Sequence, residues 1–331
     1  MQKRATAREV ALAAGVSKWT VQRAFTEGAS ITEDAKRRVL EAAAALNYTP
    51  NLLARSLATN HTHQVAVFVD DFANPQKIPY LEVLTDSLQA NGLVALLVNI
   101  NTRFDHVRAL LNADQRQVDA VILFGTAFRD DTLRDRRLGR GTPPTFVLAR
   151  DSQIEGVPAV DCDADRALAE IVDHLWSRGY RRPGFLSGAK VMSTALGRRE
   201  HFAARWADRG IALCADLDAG VYSAHAGADA MRRYLTTTPP EHRVDVLMCE
   251  NDILAMGAMD VIRGEFHLRV PEDIAIVGFD NFELCGVPAY GLTTYEQPLR
   301  EMVSTVVDMV LGRREPQTVR LPGKLVVRQT T

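Results

Sequence analysis

The stretch VALAAGVSKWTVQRAF, which runs from Val10 to Phe25, has the pattern of two short helices separated by Gly15. Glycine tolerates the backbone angles of a tight turn, and Ser17 is a residue type that caps helix N-termini. Helical spacing turns the apolar residues of the second helix to one side. Its open side carries four residues that would face a partner: Lys18, Trp19, Gln22 and Arg23. The pattern is typical of a helix-turn-helix.

The first fifty residues extend this motif to a headpiece of three helices. Thr6 and Glu9 have the spacing of a capping box, and Thr32 is a natural cap for the third helix. The predicted buried faces are Val10, Ala13 and Ala14 in the first helix, Val21, Ala24 and Phe25 in the second, and Val39, Leu40, Ala43 and Leu46 in the third. A headpiece of this kind places its second helix in the major groove of DNA.

The charge distribution is uneven along the 331 residues. Residues 1–60 carry nine Lys and Arg against five Asp and Glu, whereas acidic residues exceed basic ones by six in the remainder. A basic end on an acidic body suggests that only this end meets a polyanion. A solvated charged surface is the alternative interpretation.

The segment YTPNLLARSLATNHT, residues 48–62, follows the third helix. Pro50 stops that helix, and Asn51 can cap a brief fourth helix over residues 52–57, which includes Arg55 and ends at Leu57. A helix this short is unstable alone, so it would fold on meeting a partner. Two such helices from two subunits could push a leucine between base steps in the minor groove. The alternative is a plain linker.

From residue 64 onward, apolar runs alternate with helical patterns. Runs such as QVAVFVD and VDAVILFG have the continuous apolar character of buried parallel strands. A second series comprises RPGFLSG, DAGVYS, VDVLMCE and DIAIVGFD. The sequence therefore predicts two doubly wound α/β subdomains, with a ligand in the cleft at the carboxyl ends of the strands.

Four stretches of the sequence resemble the LacI/GalR family of bacterial transcription regulators. They are TAREVALAAGVSKWTVQRAF, ITEDAKRRVLEAAAALNYTPNLLARSLAT, VPEDIAIVGFDN and LVVRQTT. The resemblance implies a helix-turn-helix headpiece over 1–49, a hinge helix and linker over 50–63, and a periplasmic-binding-protein-like effector domain over 64–331. It further implies an N-subdomain of 64–163 and 292–319 and a C-subdomain of 164–291 and 320–331. The chain would cross between them near Asp163, Gly291 and Arg320.

The resemblance also assigns roles in DNA binding. Lys18 and Trp19 take the base-reading positions of the recognition helix, and Leu57 is the intercalating hinge leucine. Gln22, where the family usually has serine, and the unusual Trp19 are departures. The predicted DNA-binding residues are Thr6, Ser17, Lys18, Trp19, Thr20, Gln22, Arg23, Asn51, Arg55 and Leu57.

Polar residues at the predicted strand ends suit a sugar, whose hydroxyl groups bind planar polar side chains. The candidate effector-binding residues are Asp70, Phe72, Arg150, Arg198, Tyr222, Asn251, Asp280 and Gln297. By the family pattern Arg198, Asn251 and Asp280 are central, and His201 replaces the usual glycine of the Arg198 motif. Strand-end residues often serve only as helix caps, which is the alternative for Asp252 and Asn281.

Signatures of other classes are missing from the sequence. It has no phosphate-loop, nucleophile-elbow or dinucleotide motif, and its four cysteines have no metal-ligand spacing. We therefore expect no catalysis, cofactor or metal, no membrane partner and a cytoplasmic location. The predicted function is a homodimeric repressor that binds a near-palindromic operator under the control of a sugar or sugar derivative. The alternative is a sugar-binding or sugar-modifying protein with a fused DNA-binding headpiece.

Overall fold

The computed structural model describes residues 5–26, 28–50, 61–72, 74–100, 116–126, 143–189 and 196–331. The chain divides into two compact units, Met1–Thr62 and His63–Thr331. The predicted hinge residues Asn51, Arg55 and Leu57 lie outside the described residues.

Three helices form the described part of the first unit: α1 (Ala7–Ala14), α2 (Lys18–Ala24) and α3 (Glu33–Ala45). The predicted capping box is present, because the Glu9 backbone nitrogen donates to the Thr6 hydroxyl and the Thr6 backbone nitrogen donates to the Glu9 carboxylate. Gly15 ends α1 with a φ of 65°, in the left-handed region. These contacts confirm the turn that the sequence predicts.

The core of the first unit is small and consists of short side chains: Val10, Ala11, Ala14, Val21, Ala24, Val39 and Ala43. The prediction that Ala13, Leu40 and Leu46 are buried is wrong, because all three are exposed. In α1 the buried residue is Ala11, not Ala13. Leu40 and Leu46 are 42% and 39% exposed. The reason is that only one narrow stripe of α3 meets α1 and α2, and Val39 and Ala43, one turn apart, fill it.

Two six-stranded sheets form the second unit. Their strands are β1 (Gln64–Val69), β2 (Val94–Asn99), β3 (Ala120–Phe124), β4 (Thr145–Leu148), β5 (Ala159–Cys162), β6 (Pro183–Ser187), β7 (Ala215–Asp218), β8 (Val246–Cys249), β9 (Ala275–Asp280), β10 (Thr293–Glu296), β11 (Val319–Leu321) and β12 (Lys324–Val326). The first sheet has the order β11-β5-β4-β3-β1-β2 and the second β12-β10-β9-β8-β6-β7. Neighbouring strands are parallel except for the antiparallel pair β10 and β12.

Helices flank both sheets: α4 (Lys77–Ala90), α5 (Ala164–Ser177), α6 (Arg198–Ala207), α7 (Ala224–Thr237), α8 (Asp252–Gly264) and α9 (Leu299–Val310). Short 3-10 turns occur at Pro240–His242 and Glu283–Gly286. The central strands are buried on both faces, as their continuous apolar sequences require. We call the first sheet with its helices the first half, and the second sheet with its helices the second half.

The chain passes between the halves at Asp163, between β10 and α9, and between β11 and β12. Two of these crossings differ from the predicted positions at Gly291 and Arg320. β10 pairs with β9 of the second sheet, so the chain leaves the second half after Glu296. β11, which contains Arg320, pairs with β5 of the first sheet, so the last crossing follows Leu321. In both cases strand pairing moves the boundary beyond a short strand.

One predicted strand is also displaced. The sequence predicts a strand over DAGVYS, residues 218–223, but β7 occupies Ala215–Asp218. Gly220 has a φ of 77°, which bends the chain immediately after the strand. The four-residue strand β5 was not predicted from the sequence.

Helices α7 and α8 pack through two glycines. A Cβ atom on Gly227 would lie 2.5 Å from the Leu254 carbonyl oxygen, and one on Gly257 would lie 1.9 Å from the Ala224 carbonyl oxygen. Both distances are below any tolerable contact, so the two backbones approach as closely as they do because these positions have no side chain.

We expect Gly257→Ala to lower the free energy of unfolding by about 1–3 kcal/mol, because the added methyl group forces the two helices apart. The matched control is Gly264→Ala at the end of the same helix, where no atom lies within 4 Å of the added Cβ. That change should be neutral or stabilising by up to about 1 kcal/mol. Urea unfolding followed by circular dichroism measures both. Equal effects of the two substitutions would contradict the packing described.

Candidate functional site

The predicted recognition residues share the open side of α2. Trp19 is 65% exposed, which is unusual for a tryptophan that has no partner to cover it. The Arg23 guanidinium carbon lies 4.7 Å from the centre of the Trp19 ring, a cation–π contact one helical turn away. Lys18 and Gln22 are exposed beside them. The helix therefore presents one aromatic ring, an amide and two cations on one surface.

Three further predicted residues fix the helix ends. The Ser17 hydroxyl accepts a hydrogen bond from the Thr20 backbone nitrogen at 3.1 Å and also contacts the Thr20 hydroxyl at 2.9 Å. Thr6 is engaged in the capping box of α1. These contacts hold the amino end of α2 in place. A helix N-terminus flanked by cations suits the phosphates and base edges of a duplex.

A cleft lies where the carboxyl ends of strands from both sheets meet. It encloses about 510 Å³, including its open mouth. Its lining comes from both halves: Asp70, Asp71, Asn74, Gln76, Lys77, Tyr80, Phe124, Gly125, Thr126, Ala149 and Gln297 together with Leu196, Arg198, Tyr222 and Asn251. This is the position in which open α/β sheets bind their ligands.

The wall from the first half contains a buried ion pair. The Lys77 Nζ atom lies 3.0 Å from the Asp70 Oδ1 atom and 4.1 Å from the centre of the Phe124 ring. The Tyr80 ring packs against Phe124 with centroids 5.0 Å apart. Burial, and then the neighbouring Asp70, raise the pKa of Asp71. Charge and aromatic surface thus alternate along this wall.

Arg198, the first residue of α6, is the centre of the second-half wall, and only 6% of it is exposed. Its Nη1 atom donates to the Glu250 carbonyl oxygen at 2.6 Å, and its Nη2 atom lies 3.7 Å from Asp280 Oδ1. The guanidinium carbon is 3.8 Å from the centre of the Phe279 ring. Burial alone would lower the pKa of Arg198, but Asp280 and Glu250 outweigh it and raise the pKa.

Gln297 connects the two walls. Its Oε1 atom accepts a hydrogen bond from the Tyr80 hydroxyl at 3.1 Å, and its Nε2 atom donates to Asp280 Oδ1 at 2.7 Å. Burial raises the pKa of Asp280 well above its usual range, although Arg198 opposes the shift. Because Tyr80 belongs to the first half and Asp280 to the second, Gln297 forms a polar bridge across the cleft.

Glu250 and Asn251 complete the second-half wall. The Glu250 Oε2 atom accepts hydrogen bonds from the Gly188 nitrogen at 2.7 Å and the Tyr222 hydroxyl at 3.0 Å. Burial raises the pKa of Glu250. Asn251 caps α8 through its side-chain oxygen, which accepts from the Leu254 nitrogen. Within the described residues its side-chain nitrogen has no hydrogen-bond partner, so it can donate into the cleft.

The structure brings most of the predicted effector residues together. Asp70, Arg198, Tyr222, Asn251 and Gln297 line the cleft, and Asp280 lies directly behind Arg198 and Gln297.

Two predicted residues do not line the cleft. Phe72 is 43% exposed away from it. Arg150 is buried and donates to the carbonyl oxygens of Gly125 and Asp151, so it braces the strand ends from behind. The sequence pattern of an arginine after a strand is the same whether its side chain lines the cleft or lies behind the strand ends, so the pattern could not distinguish the two.

Asp252 and Asn281 have structural roles. Asp252 is fully buried and accepts hydrogen bonds from the Thr294 hydroxyl at 2.6 Å and the Phe282 nitrogen at 3.3 Å. Asp71, next to Asp70 at the end of the same predicted strand, also lines the cleft. Sequence reasoning missed Asn74, Lys77, Tyr80 and Phe124. The segment DDFANPQK carried the signal for Asn74 and Lys77, because the helix that follows a strand end begins at the same edge of the sheet.

Among the described residues, no cluster of His, Cys, Asp and Glu could hold a metal ion, and no helix is long and apolar enough to cross a membrane.

A headpiece of the helix-turn-helix type in one chain with a two-halved polar cleft defines a class: DNA-binding proteins that also bind a small ligand. Residues 6–51 match the family of bacterial regulatory proteins of the lacI type. Residues 172–331 match the periplasmic binding protein-like domain family. The two matches together support the LacI/GalR family of transcriptional regulators, as the resemblance of the sequence predicts.

Comparison with individual proteins agrees with this assignment. The chain is 28% identical over 333 positions to the HTH-type transcriptional repressor PurR of Yersinia pestis, covering 98% of this chain and 96% of that protein. Its fold matches a Lac repressor dimer bound to operator and the anti-inducer ONPF, with a TM-score of 0.86, 24% identity and 99% of each chain covered. It also matches a complex of the transcriptional regulator CelR with cellobiose, with a TM-score of 0.70, 25% identity and 99% and 100% coverage.

These similarities confirm the predicted fold class, a headpiece followed by a periplasmic-binding-protein-like α/β domain. They also confirm the prediction of a DNA-binding regulator rather than an enzyme, because the named relatives are transcriptional regulators.

Proposed function

We propose that this protein is a repressor that binds a near-palindromic operator as a homodimer and responds to a sugar or sugar derivative in the cleft. Its site of action is the cytoplasm, where bacterial operators lie. The observation that carries the proposal is the polar bridge from Tyr80 through Gln297 to Asp280, because a ligand that contacts it changes how the two halves are held together. The PurR relative of Yersinia pestis is named a repressor, which supports the direction of control.

The residues of α2 support sequence-specific DNA binding. Lys18 can donate to guanine or to a phosphate, and the exposed Trp19 ring can pack on a thymine methyl group. The contact with Arg23 holds the ring in position before DNA arrives, which lowers the entropy cost of binding. Ser17 and Thr20 position the start of the helix against the backbone, and we assign Thr6 the same role for α1. Asn51, Arg55 and Leu57 remain the proposed hinge contacts.

The chemistry of the cleft supports a sugar. Asn251 offers amide N–H groups, and the Tyr222 hydroxyl and the carboxylates offer further polar contacts for hydroxyl groups. The rings of Tyr80 and Phe124 provide an apolar surface of the kind that packs on the C–H face of a sugar ring. The CelR regulator binds cellobiose in its solved complex, which is consistent with a sugar here.

The proposed homodimer would use the edge of the first half. Ile78 on α4 and Val94 and Leu97 on the edge strand β2 are 64%, 55% and 51% exposed. α4 packs on β2, so Ile78 and Leu97 lie on the same face of the first sheet, whereas Val94 points to the other face at the same edge. A second copy of the chain would cover them and place two headpieces on two half-sites.

The DNA-binding role predicts that Trp19→Ala lowers affinity for the operator by about 1–3 kcal/mol, because one specific base contact is lost. The matched control is Leu12→Ala, which removes another highly exposed apolar side chain from the headpiece, 86% exposed on α1. That change should leave binding unaltered. Gel-shift titrations on operator and random DNA separate the two. If Trp19→Ala weakened both DNAs equally, Trp19 would have no role in base reading.

The effector role predicts that Arg198→Ala weakens ligand binding at least tenfold, since a buried charge-assisted hydrogen bond is worth about 1.5–3 kcal/mol. The control is the adjacent Arg199→Ala, because Arg199 pairs with Asp216 at the surface. A thermal-shift screen of monosaccharides and polyols identifies the ligand, and calorimetry measures its affinity. Operator binding without ligand should be unchanged in both variants. Normal ligand affinity in Arg198→Ala would contradict the placement of the site.

The dimer predicts a single species of twice the chain mass in multi-angle light scattering at micromolar concentration. Leu97→Asp should convert it to monomers, because the carboxylate would be buried in the interface. Val327→Asp, at a position 52% exposed in the other half, should not. A wild-type protein that is monomeric or tetrameric would contradict the proposed assembly.

A further inference from the structure

The described part of the cleft has no cation available for an anionic ligand. Both cations among its described lining residues already have a carboxylate within 4 Å: Lys77 lies 3.0 Å from Asp70, and Arg198 lies 3.7 Å from Asp280. Asp71 adds a further carboxylate to the lining. The side chains that a phosphate would require are therefore engaged by groups of the protein itself.

The Asp70–Lys77 pair occupies the place where an anion would bind best. Lys77 is the first residue of α4, and a helix N-terminus with an adjacent ammonium group favours negative charge. The Asp70 carboxylate provides that charge from within the protein. The side chains of Asp70 and Lys77 are only 6% and 11% exposed, so water screens the pair weakly.

The backbone of the neighbouring strand makes room for the Asp70 carboxylate. A Cβ atom on Gly125 would lie 2.0 Å from Asp70 Oδ1 and 2.5 Å from Oδ2. The carboxylate therefore sits directly against the Gly125 backbone at the end of β3. Any other residue at 125 would displace it from Lys77.

We propose that this cleft selects an uncharged, polyhydroxylated ligand and rejects phosphorylated ones, and that the Asp70–Lys77 pair is the selectivity device. The inference rests on the proposed function, in that it concerns the ligand of the same cleft. A phosphorylated sugar would have to displace Asp70 from Lys77 and leave a buried carboxylate without its cation, which is strongly unfavourable. The hydroxyl groups of a neutral sugar can donate hydrogen bonds to the same carboxylate and leave the ion pair intact.

The carboxylates deeper in the second half support the same selection. Burial raises the pKa of Glu250 and of Asp280, because the surroundings of both groups disfavour the charged carboxylate. The charge of an anionic ligand would be disfavoured there for the same reason. A ligand with hydroxyl groups would instead exchange hydrogen bonds with the wall.

Calorimetric titration of the full-length protein with inorganic phosphate tests the inference without knowledge of the natural ligand. Asp70→Asn should bind phosphate about tenfold or more tightly than wild type, because it uncovers the buried Lys77 ammonium group. Asp70→Asn combined with Lys77→Met should lose that gain. The control is Asp151→Asn, which removes the carboxylate of an exposed pair with Arg320 and should bind phosphate as wild type does.

Asp71→Asn is the second test variant, for use if Asp70→Asn does not fold. The Asp71 substitution removes negative charge from the cleft without uncovering a buried cation. It should increase phosphate affinity by about threefold, a weaker effect than that of Asp70→Asn. The inference is overturned if wild type binds phosphate as tightly as these variants, or if neither variant gains affinity. Either result would leave the proposed function untouched if a ligand of the cleft, neutral or charged, still altered operator binding.

Discussion

The burial of one guanidinium group, that of Arg198, determines how the second half of the cleft is built. A charge removed from water costs several kcal/mol unless the protein compensates it. Here the compensation comes from the ends of two adjacent strands: the Glu250 carbonyl after β8, and Asp280 with the Phe279 ring at the end of β9. The parallel pairing of β8 and β9 brings those strand ends to the same level. The carboxyl ends of these two strands therefore supply the contacts that compensate the buried cation.

Gln297 extends this network into the first half. It lies where the chain passes from β10 to α9, and it bonds to Tyr80 on one side and Asp280 on the other. In the proposed function, a ligand that competes for either hydrogen bond would change how the two halves are held together. Such a ligand changes a distant equilibrium only through its different affinity for the two arrangements. The bridge is thus the contact through which we propose that a cleft ligand acts on DNA binding.

Local features were predictable from the sequence, whereas long-range pairings were not. Thr6, Ser17 and Gly15 act on their immediate neighbours, so their roles follow from spacing alone. The continuous apolar runs of β1, β3 and β8 are specific for buried parallel strands in the same way. The short strands β5, β10 and β11 carry little pattern, and their assignment depends on which sheet offers a free edge. This is why two crossing points were misplaced.

The same distinction applies to the cleft. Asp70, Asn251 and Arg198 were predictable because strand ends and a family motif mark them. Lys77 was not, since its pairing with Asp70 depends on how α4 returns to the sheet.

The exact geometry of the site depends on groups that never meet the ligand. Asp280 and Asn281 have φ values of 121° and 56°, which are costly for residues with a side chain. Hydrogen bonds from Arg328 to Asn281 and from Asn281 to Glu296 hold the strained turn. The Asp252 carboxylate accepts a hydrogen bond from the backbone nitrogen of Phe282, the residue after Asn281. It lies against the backbone of Gly278, where a Cβ atom would be 2.1 Å from its Oδ1 atom. Because this network orients the Asp280 carboxylate toward Arg198 and Gln297, its loss would disorganise the ligand site even with every lining residue intact.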